Sequence, residues 1–376
     1  MILLTIGSDR SLFRESAARK RIRAYGNLVS AMHVIVFARR GGYKKEAIGE
    51  HVYLYPTNSR LRLGYLWGAL LIGMGIIRRL SSQDRRELLI SCQDPFESGL
   101  VGYLLARFFK AALQLQVHTD LLSPYFAKNN LLNRIRVWLA SWLLPRADCI
   151  RVVSQRIRRS LESQLKIKDS KITVLSIWGA PPVGEPRHLG GPLAAPPRVA
   201  KDGAFSILVV ARLEKEKRID HALLAFYEFI KRGGMGKLNI VGDGSRRKIL
   251  ENLARTLKIQ NQVVFHGWQN DLSRYYADAD VLLMTSQYEG WGVAAADAVY
   301  AGIPVVMTDV GLAGELVQDG KNGIIVPVGD TDAIARALSS IMAGPDRARP
   351  RQIRPRESFE EYLAEYREAL YRCRAS

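Results

Sequence analysis

The sequence predicts an α/β protein built from two doubly wound parallel sheets, and three observations carry that reading. Short apolar, β-branched runs alternate with amphipathic helical segments along the chain, the pattern of strands joined by helical crossovers. At 376 residues the chain exceeds what one hydrophobic core commonly holds. A stretch containing Pro181-Pro182, Gly190-Gly191-Pro192 and Pro196-Pro197 interrupts the alternation near the middle and suits neither helix nor strand. These features set a first domain over 1–180, a linker over 181–203 and a second domain over 204–355. A last helical segment, within 356–376, follows a Pro/Arg-rich break at 350–355.

The first domain opens on the apolar run 1–6, a strand that turns at Gly7-Ser8-Asp9. Further strands are read at 32–38, 51–55, 87–92, 113–118 and 149–153. The second domain opens on the continuous apolar run 206–211, a buried parallel strand, followed by a helix over 219–231. A strand at 237–241 closes at Gly242-Asp243-Gly244 and leads into a helix reaching 257. The next strand, 262–265, ends at His266-Gly267-Trp268. A helix at 271–277, strands at 279–284, 304–307 and 323–327, and a helix at 332–342 complete the sheet, and 357–374 reads as the final helix.

The segment after strand 279–284 says most about chemistry. It runs Glu289-Gly290-Trp291-Gly292-Val293 into an Ala-rich helix start, and a second acid, Asp297, stands eight positions after the first. Eight residues of helix are about two turns, which would set Asp297 below the site on the same face, while Glu289, just before the helix, would sit at the mouth of the site. A helix N-terminus carries free N–H groups and positive dipole charge, which suits a phosphate. Glu289 could then hold a polyol, the amides of Gly292 and Val293 a pyrophosphate, and Asp297 a ribose. Arg212 and Lys217 follow the carboxyl end of strand 206–211, where ligands bind in such sheets. Two fixed cations suit a departing nucleoside diphosphate, on which negative charge grows. Gly242-Asp243-Gly244 lacks the third glycine of a dinucleotide fingerprint, so it speaks only weakly for a nicotinamide cofactor. An ordinary strand–loop–helix unit with two surface acids would share part of this pattern.

Together, Glu289 with Asp297 and Arg212 with Lys217 resemble the donor site of GT-B glycosyltransferases of family 4. Here the second acid is Asp, one methylene shorter than the usual Glu, and the glycine pair usual after the first strand is replaced by Gly7-Ser8-Asp9. The resemblance is strongest over 206–328. It implies two Rossmann-like domains facing across a cleft, with the C-terminal helix returning to the first. It implies a retaining transferase that moves a sugar from a UDP- or GDP-sugar to a glycan or lipid-linked acceptor. Glu289, Arg212, Lys217 and His118 would carry catalysis. Gly242, Gly244, Gly267, Trp268, Gly290, Trp291, Gly292, Val293 and Asp297 would line the donor. No cofactor and no metal is implied, the nucleotide sugar being a substrate.

His118 ends the apolar strand 113–118. A histidine so placed is often structural, and the resemblance is what sets it near the donor sugar. Asp120, two residues on, could orient it or meet an acceptor hydroxyl. Asp94-Pro95 opens a helix, so Asp94 serves either as a plain cap or as an acceptor contact.

Charge is uneven. Residues 1–200 hold 31 Lys and Arg against 13 Asp and Glu, while the remainder holds 24 against 23. Such asymmetry points to a polyanionic partner. No nucleic-acid-binding motif accompanies it, so an anionic membrane face is the better expectation, although solvated faces of a high-pI protein would give the same count. The run 61–77, with Leu66-Trp67 and Leu70-Leu71-Ile72, is short for a membrane span and reads as a buried or interfacial helix. Cys92, Cys149 and Cys373 lie far apart with no metal spacing, which fits a reduced, cytoplasmic setting on the inner face of a membrane. The first strand lacks the basic region and cleavage site of a signal peptide. A sugar-nucleotide epimerase of the same fold, and an inactive membrane-associated scaffold, remain as alternatives.

Overall fold

The computed structural model describes residues 1–61, 64–178, 205–344 and 358–375. The stretch read as a linker, 181–203, and the break at 350–355 lie outside the described residues. The chain forms two compact units, Met1–Trp178 with Glu357–Ser376, and Gly179–Arg356.

The first unit holds β1 (Ile2–Gly7), β2 (Ala31–Val36), β3 (Glu46–Ala47), β4 (Val52–Pro56), β5 (Leu88–Cys92), β6 (Ala112–Val117), β7 (Cys149–Val152) and β8 (Ile172–Val174). They lie in the order β3-β4-β2-β1-β5-β6-β7-β8, parallel except for β3, which runs antiparallel to β4. β3 and β8 were not expected from the sequence. Two or three residues are too few to show a period.

The second unit holds β9 (Phe205–Val210), β10 (Gly236–Val241), β11 (Val263–Gly267), β12 (Val281–Met284), β13 (Val305–Thr308) and β14 (Gly323–Val326), ordered β11-β10-β9-β12-β13-β14 and wholly parallel. Both faces are covered, which explains the continuous apolar run in β9. Ile207 and Val209 join a core with Phe226, Phe229, Ile334 and Leu338, and Leu208 faces the opposite core with Leu282, Ala295 and Val299. Strand direction of travel reverses between β9 and β12. The loops leaving these two strands therefore bound the switch point where ligands settle in such sheets.

The C-terminal helix Phe359–Ala375 belongs to the first unit. Its buried residues Tyr362, Tyr366, Leu370 and Cys373 fall on one helical stripe and join the core containing Leu3, Tyr25 and Leu89. Cys373 is bonded to Cys149 on β7. This corrects the expectation that all three cysteines are reduced. The partners stand 224 residues apart, so no local spacing reveals them, and only the return of the last helix to β7 brings them together. Cys92 is free and buried.

Candidate active site

In the second unit the switch-point loops meet through backbone and side-chain bonds. A short 3-10 turn, Lys215–Lys217, follows β9. Thr285 Oγ1, just past β12, donates to the carbonyls of Lys217 (3.0 Å) or Arg218 (2.9 Å), and Gln287 N donates to Glu216 O at 2.8 Å. This seam sets Lys217 Nζ 2.5 Å from Glu289 Oε1, which also accepts from Ser286 Oγ at 2.8 Å. Both charged side chains are largely buried, 17% and 13% exposed. Ser286 is itself placed by Thr308 at the end of β13, whose hydroxyl donates to the Ser286 carbonyl at 2.6 Å. Arg212 is more open, 65% exposed, and pairs with Glu216 at 3.1 Å.

Glu289 stands before the helix, as the sequence suggested. Gly292, at φ +101°, caps the helix Val293–Tyr300, and no side chain caps that end. Only the Val293–Asp297 part of the eight-residue step is helical, which corrects the two-turn placement of Asp297. The interruption has a steric basis. Gly311, at φ +56°, packs so closely that a Cβ there would overlap the Trp291 carbonyl oxygen, and Leu312 N donates to that same oxygen at 2.8 Å. Gly290 is buried, Trp291 is half-buried, and the side chain of Val293 is at the surface. Asp297 is 7% exposed. Burial, then the charge of Asp297, pushes the Tyr276 hydroxyl above its usual range, and that hydroxyl donates to Ala294 O at 3.1 Å.

The remaining donor-lining candidates lie on the β10 and β11 ends. A Cβ at Gly242 would overlap the Ala211 carbonyl, and one at Gly244 would crowd Leu213. These glycines let the loop close on the β9 exit, where Leu213 N donates to Asp243 O at 2.9 Å and Ser245 N to Glu214 Oε1 at 3.0 Å. Gly242 N donates to Gly267 O at 2.8 Å, which joins the loops after β10 and β11. Trp268 is 65% exposed, its Nε1 donating to Asn270 Oδ1 at 3.2 Å.

The first unit places His118 just past the end of β6. Its Nε2 lies 2.9 Å from Gln116 Oε1, which also accepts from Arg151 Nη1 at 3.2 Å. Arginine only donates, so the Gln116 atom facing it is the oxygen, and His118 Nε2 must then carry the proton. Among the described residues Nδ1, a buried acceptor, has no partner. Burial, then Arg151 and Arg21, pushes the His118 pKa down to about 3, so the ring is neutral near pH 7. Arg151 Nη2 reaches Tyr362 OH at 3.0 Å and the carbonyl of Ser176 at 3.2 Å. Asp120 does not orient His118, correcting that option, because Gln116 does. Burial raises the Asp120 pKa, against the opposing effect of Arg156 and the N–H groups of Ser123 and Leu122. Asp94 Oδ1 accepts from Phe96 N at 2.9 Å and Ser98 N at 3.3 Å, the local closure of a helix-opening turn. Burial raises its pKa as well.

Sequence reasoning missed Gln116, Arg151 and Ser286. Gln114 and Gln116 alternate with apolar residues along β6, and that period marks one polar sheet face. Arg151 sits in register opposite Gln116. Among the described residues no three His, Cys, Asp or Glu side chains are grouped to hold a metal ion.

Residues 21–178 match the family pattern described as glycosyl transferase 4-like domain, and residues 195–358 match that of glycosyl transferases group 1. The chain belongs to the group 1 glycosyltransferases. A relative of this chain, an uncharacterized glycosyltransferase of Methanocaldococcus jannaschii, is 35% identical over 145 residues, 38% of this chain and 37% of the relative. The alpha-monoglucosyldiacylglycerol synthase of Streptococcus pneumoniae is 27% identical over 270 residues, 69% of this chain and 60% of that one. The chain thus aligns with less than two thirds of the length of either relative. A solved lipopolysaccharide outer core galactosyltransferase superposes with TM-score 0.70 at 18% identity, covering 99% of both chains. An Anabaena protein solved with UDP-glucose superposes with TM-score 0.67 at 18% identity, covering 98% of this chain and 94% of that one. These likenesses show the fold, which is GT-B.

Proposed function

We propose that the chain is a retaining glycosyltransferase that moves a sugar from a nucleotide-sugar donor to a glycan or lipid-linked acceptor. The observation that carries this is the Lys217–Glu289 pair at the switch point of β9 and β12, beside a helix start opened by Gly292. Lys217 has three donors and Glu289 takes one, which leaves the others to meet diphosphate oxygens. Arg212 adds a second, more open cation. Glu289 Oε1 takes both the Lys217 and Ser286 bonds, so Oε2 is the oxygen for sugar hydroxyls.

In the proposed reaction the bond from the anomeric carbon to the diphosphate breaks, and the acceptor oxygen attacks the same face. The leaving phosphate takes the acceptor proton. Side-chain cations and helix-start amides stabilise the growing charge, so no metal or cofactor is needed and no covalent intermediate forms. UDP is the first donor nucleotide to try, since a structure of like fold holds UDP-glucose.

The proposed setting is peripheral, on a membrane face, in cell-envelope glycolipid or polysaccharide synthesis. The charge of residues 1–200 supports it, as does the lipid named in the pneumococcal relative. Among the described residues no helix is long and apolar enough to cross a membrane. The test is incubation with a panel of UDP- and GDP-sugars and membrane extracts, reading nucleoside diphosphate release and the anomeric configuration of the product. Diphosphate released only with acceptor, and a product of retained configuration, are expected. An inverted product would remove the retaining mechanism, and epimerised donor without transfer would replace the transferase reading.

A further inference from the structure

The β4-to-β5, β5-to-β6 and β6-to-β7 crossovers all advance across the first sheet in one direction. Right-handed connections then place their helices, Gly64–Arg79, Glu97–Phe109 and Leu131–Leu143, on the same face. Side-chain contacts agree. Gly99 of the middle helix lies against Leu115 of β6 and Leu143 of the third helix, and Gly73 of the first lies against Leu105 of the middle one. The inner sides of this layer are accounted for by the sheet. The outer sides also carry exposed apolar residues.

Each helix carries an apolar stripe pointing to solvent. Trp67 and Leu71 are 69% and 62% exposed, Leu104 and Phe108 are 46% and 69%, and Ile135 and Trp138 are 53% and 69%. The members of each pair stand three or four residues apart, on one helical face. Single exposed apolar residues are ordinary, but three adjacent stripes make a patch of the kind that marks an interaction surface. The same helices hold five arginines, Arg78, Arg79, Arg107, Arg134 and Arg136, and one acid, Glu97, which is paired with Arg136 at 2.8 Å.

We propose that this three-helix face docks on an anionic lipid bilayer, with the tryptophans and Phe108 entering the headgroup–acyl boundary and the arginines meeting lipid phosphates. The proposal rests on the peripheral setting put forward above and deepens it by naming the surface. It does not depend on the transferase reading. Charge selects the occupant. A second copy would bring the same arginines against these, and like charges across an interface repel. A nucleic acid would satisfy the arginines and leave the apolar stripes in water. Amphipathic aromatic side chains beside arginines are what a membrane interface favours. Attachment through charge alone is released by salt, whereas inserted aromatics leave a salt-resistant part.

The test is flotation of the full chain with phosphatidylcholine vesicles, with and without phosphatidylglycerol, at low and high salt. Wild type should float with the anionic vesicles and keep a measurable bound fraction at high salt. The triple variant Trp67→Ser, Phe108→Ser, Trp138→Ser changes only exposed positions and should lose roughly tenfold or more of its partition. Arg78→Gln with Arg107→Gln and Arg134→Gln should erase the preference for anionic vesicles. Calorimetric binding of UDP and GDP, measured on the same proteins, should not change. Wild type that floats but binds neither nucleotide keeps the docking face and removes the transferase reading. The proposal is overturned if wild type floats with neither vesicle, or if the triple-Ser variant floats as wild type does. A wild-type dimer that the triple-Ser variant dissolves, without flotation of either, would assign the face to self-association instead.

Discussion

The two units treat buried polarity in opposite ways. In the second, Lys217 and Glu289 neutralise one another at the edge of solvent, held by loops that meet at a switch point. In the first, Arg151 lies buried among neutral groups, Gln116, two carbonyls and Tyr362 OH, with Tyr366 ring electrons 5.0 Å away. A charge-balanced pair can exchange partners with an incoming diphosphate at little cost. A cation fixed by neutral acceptors cannot, because removing any partner exposes it to an uncompensated low-dielectric surrounding. The first arrangement suits binding, and the second suits holding His118 in one tautomer.

The largest expected effect that separates them is on pH. The folded His118 pKa of about 3 lies below the ordinary 6.5. Between those values the unfolded chain binds the extra proton and the folded one does not. Stability is therefore complete above pH 6.5 and falls as pH drops toward 3, by up to about 4–5 kcal/mol for this group. Denaturant unfolding across that window should show the slope, and His118→Gln should flatten it. An unchanged slope in the variant would assign the acid sensitivity to other groups.

Next is Arg151→Met. Stranding the carbonyls of Leu175 and Ser176 should cost about 2–4 kcal/mol, read as a lower denaturant midpoint. Because Arg151 also depresses His118, the pH slope should shrink in the same variant. In the second unit Lys217→Ala should lower turnover about a hundredfold, the scale of losing one preorganised charge partner, with circular dichroism unchanged. Wild-type turnover there would remove Lys217 from the site. The smallest effect belongs to Asp297→Glu. The added methylene enters a buried position beside Tyr276 and should cost only about 1–3 kcal/mol of stability, with donor turnover retained. Loss of turnover would show a pocket built around the shorter acid.

The same contrast explains what could be read from the sequence. The second unit's candidates fall in short stretches after β9, β10, β11 and β12, and close approach requires glycine at some of them, such as Gly242 against Ala211. A local pattern therefore announces them. The pairing of Lys217 with Glu289 spans 72 residues and needs the strand order. In the first unit almost nothing is local. Arg151 reaches Tyr362 across 211 residues, and Cys149 reaches Cys373 across 224. The apolar run 61–77 was visible, but its neighbours Phe108 and Trp138 join it only through the handedness of the crossovers.

Glu289→Gln tests the central claim most directly, with turnover and nucleoside diphosphate affinity measured on the same preparation. If Glu289 meets sugar hydroxyls while Lys217 and the helix start hold the diphosphate, turnover should fall about a hundredfold or more and diphosphate affinity should stay near wild type. A parallel fall in affinity and rate would place Glu289 on the nucleotide and contradict the account.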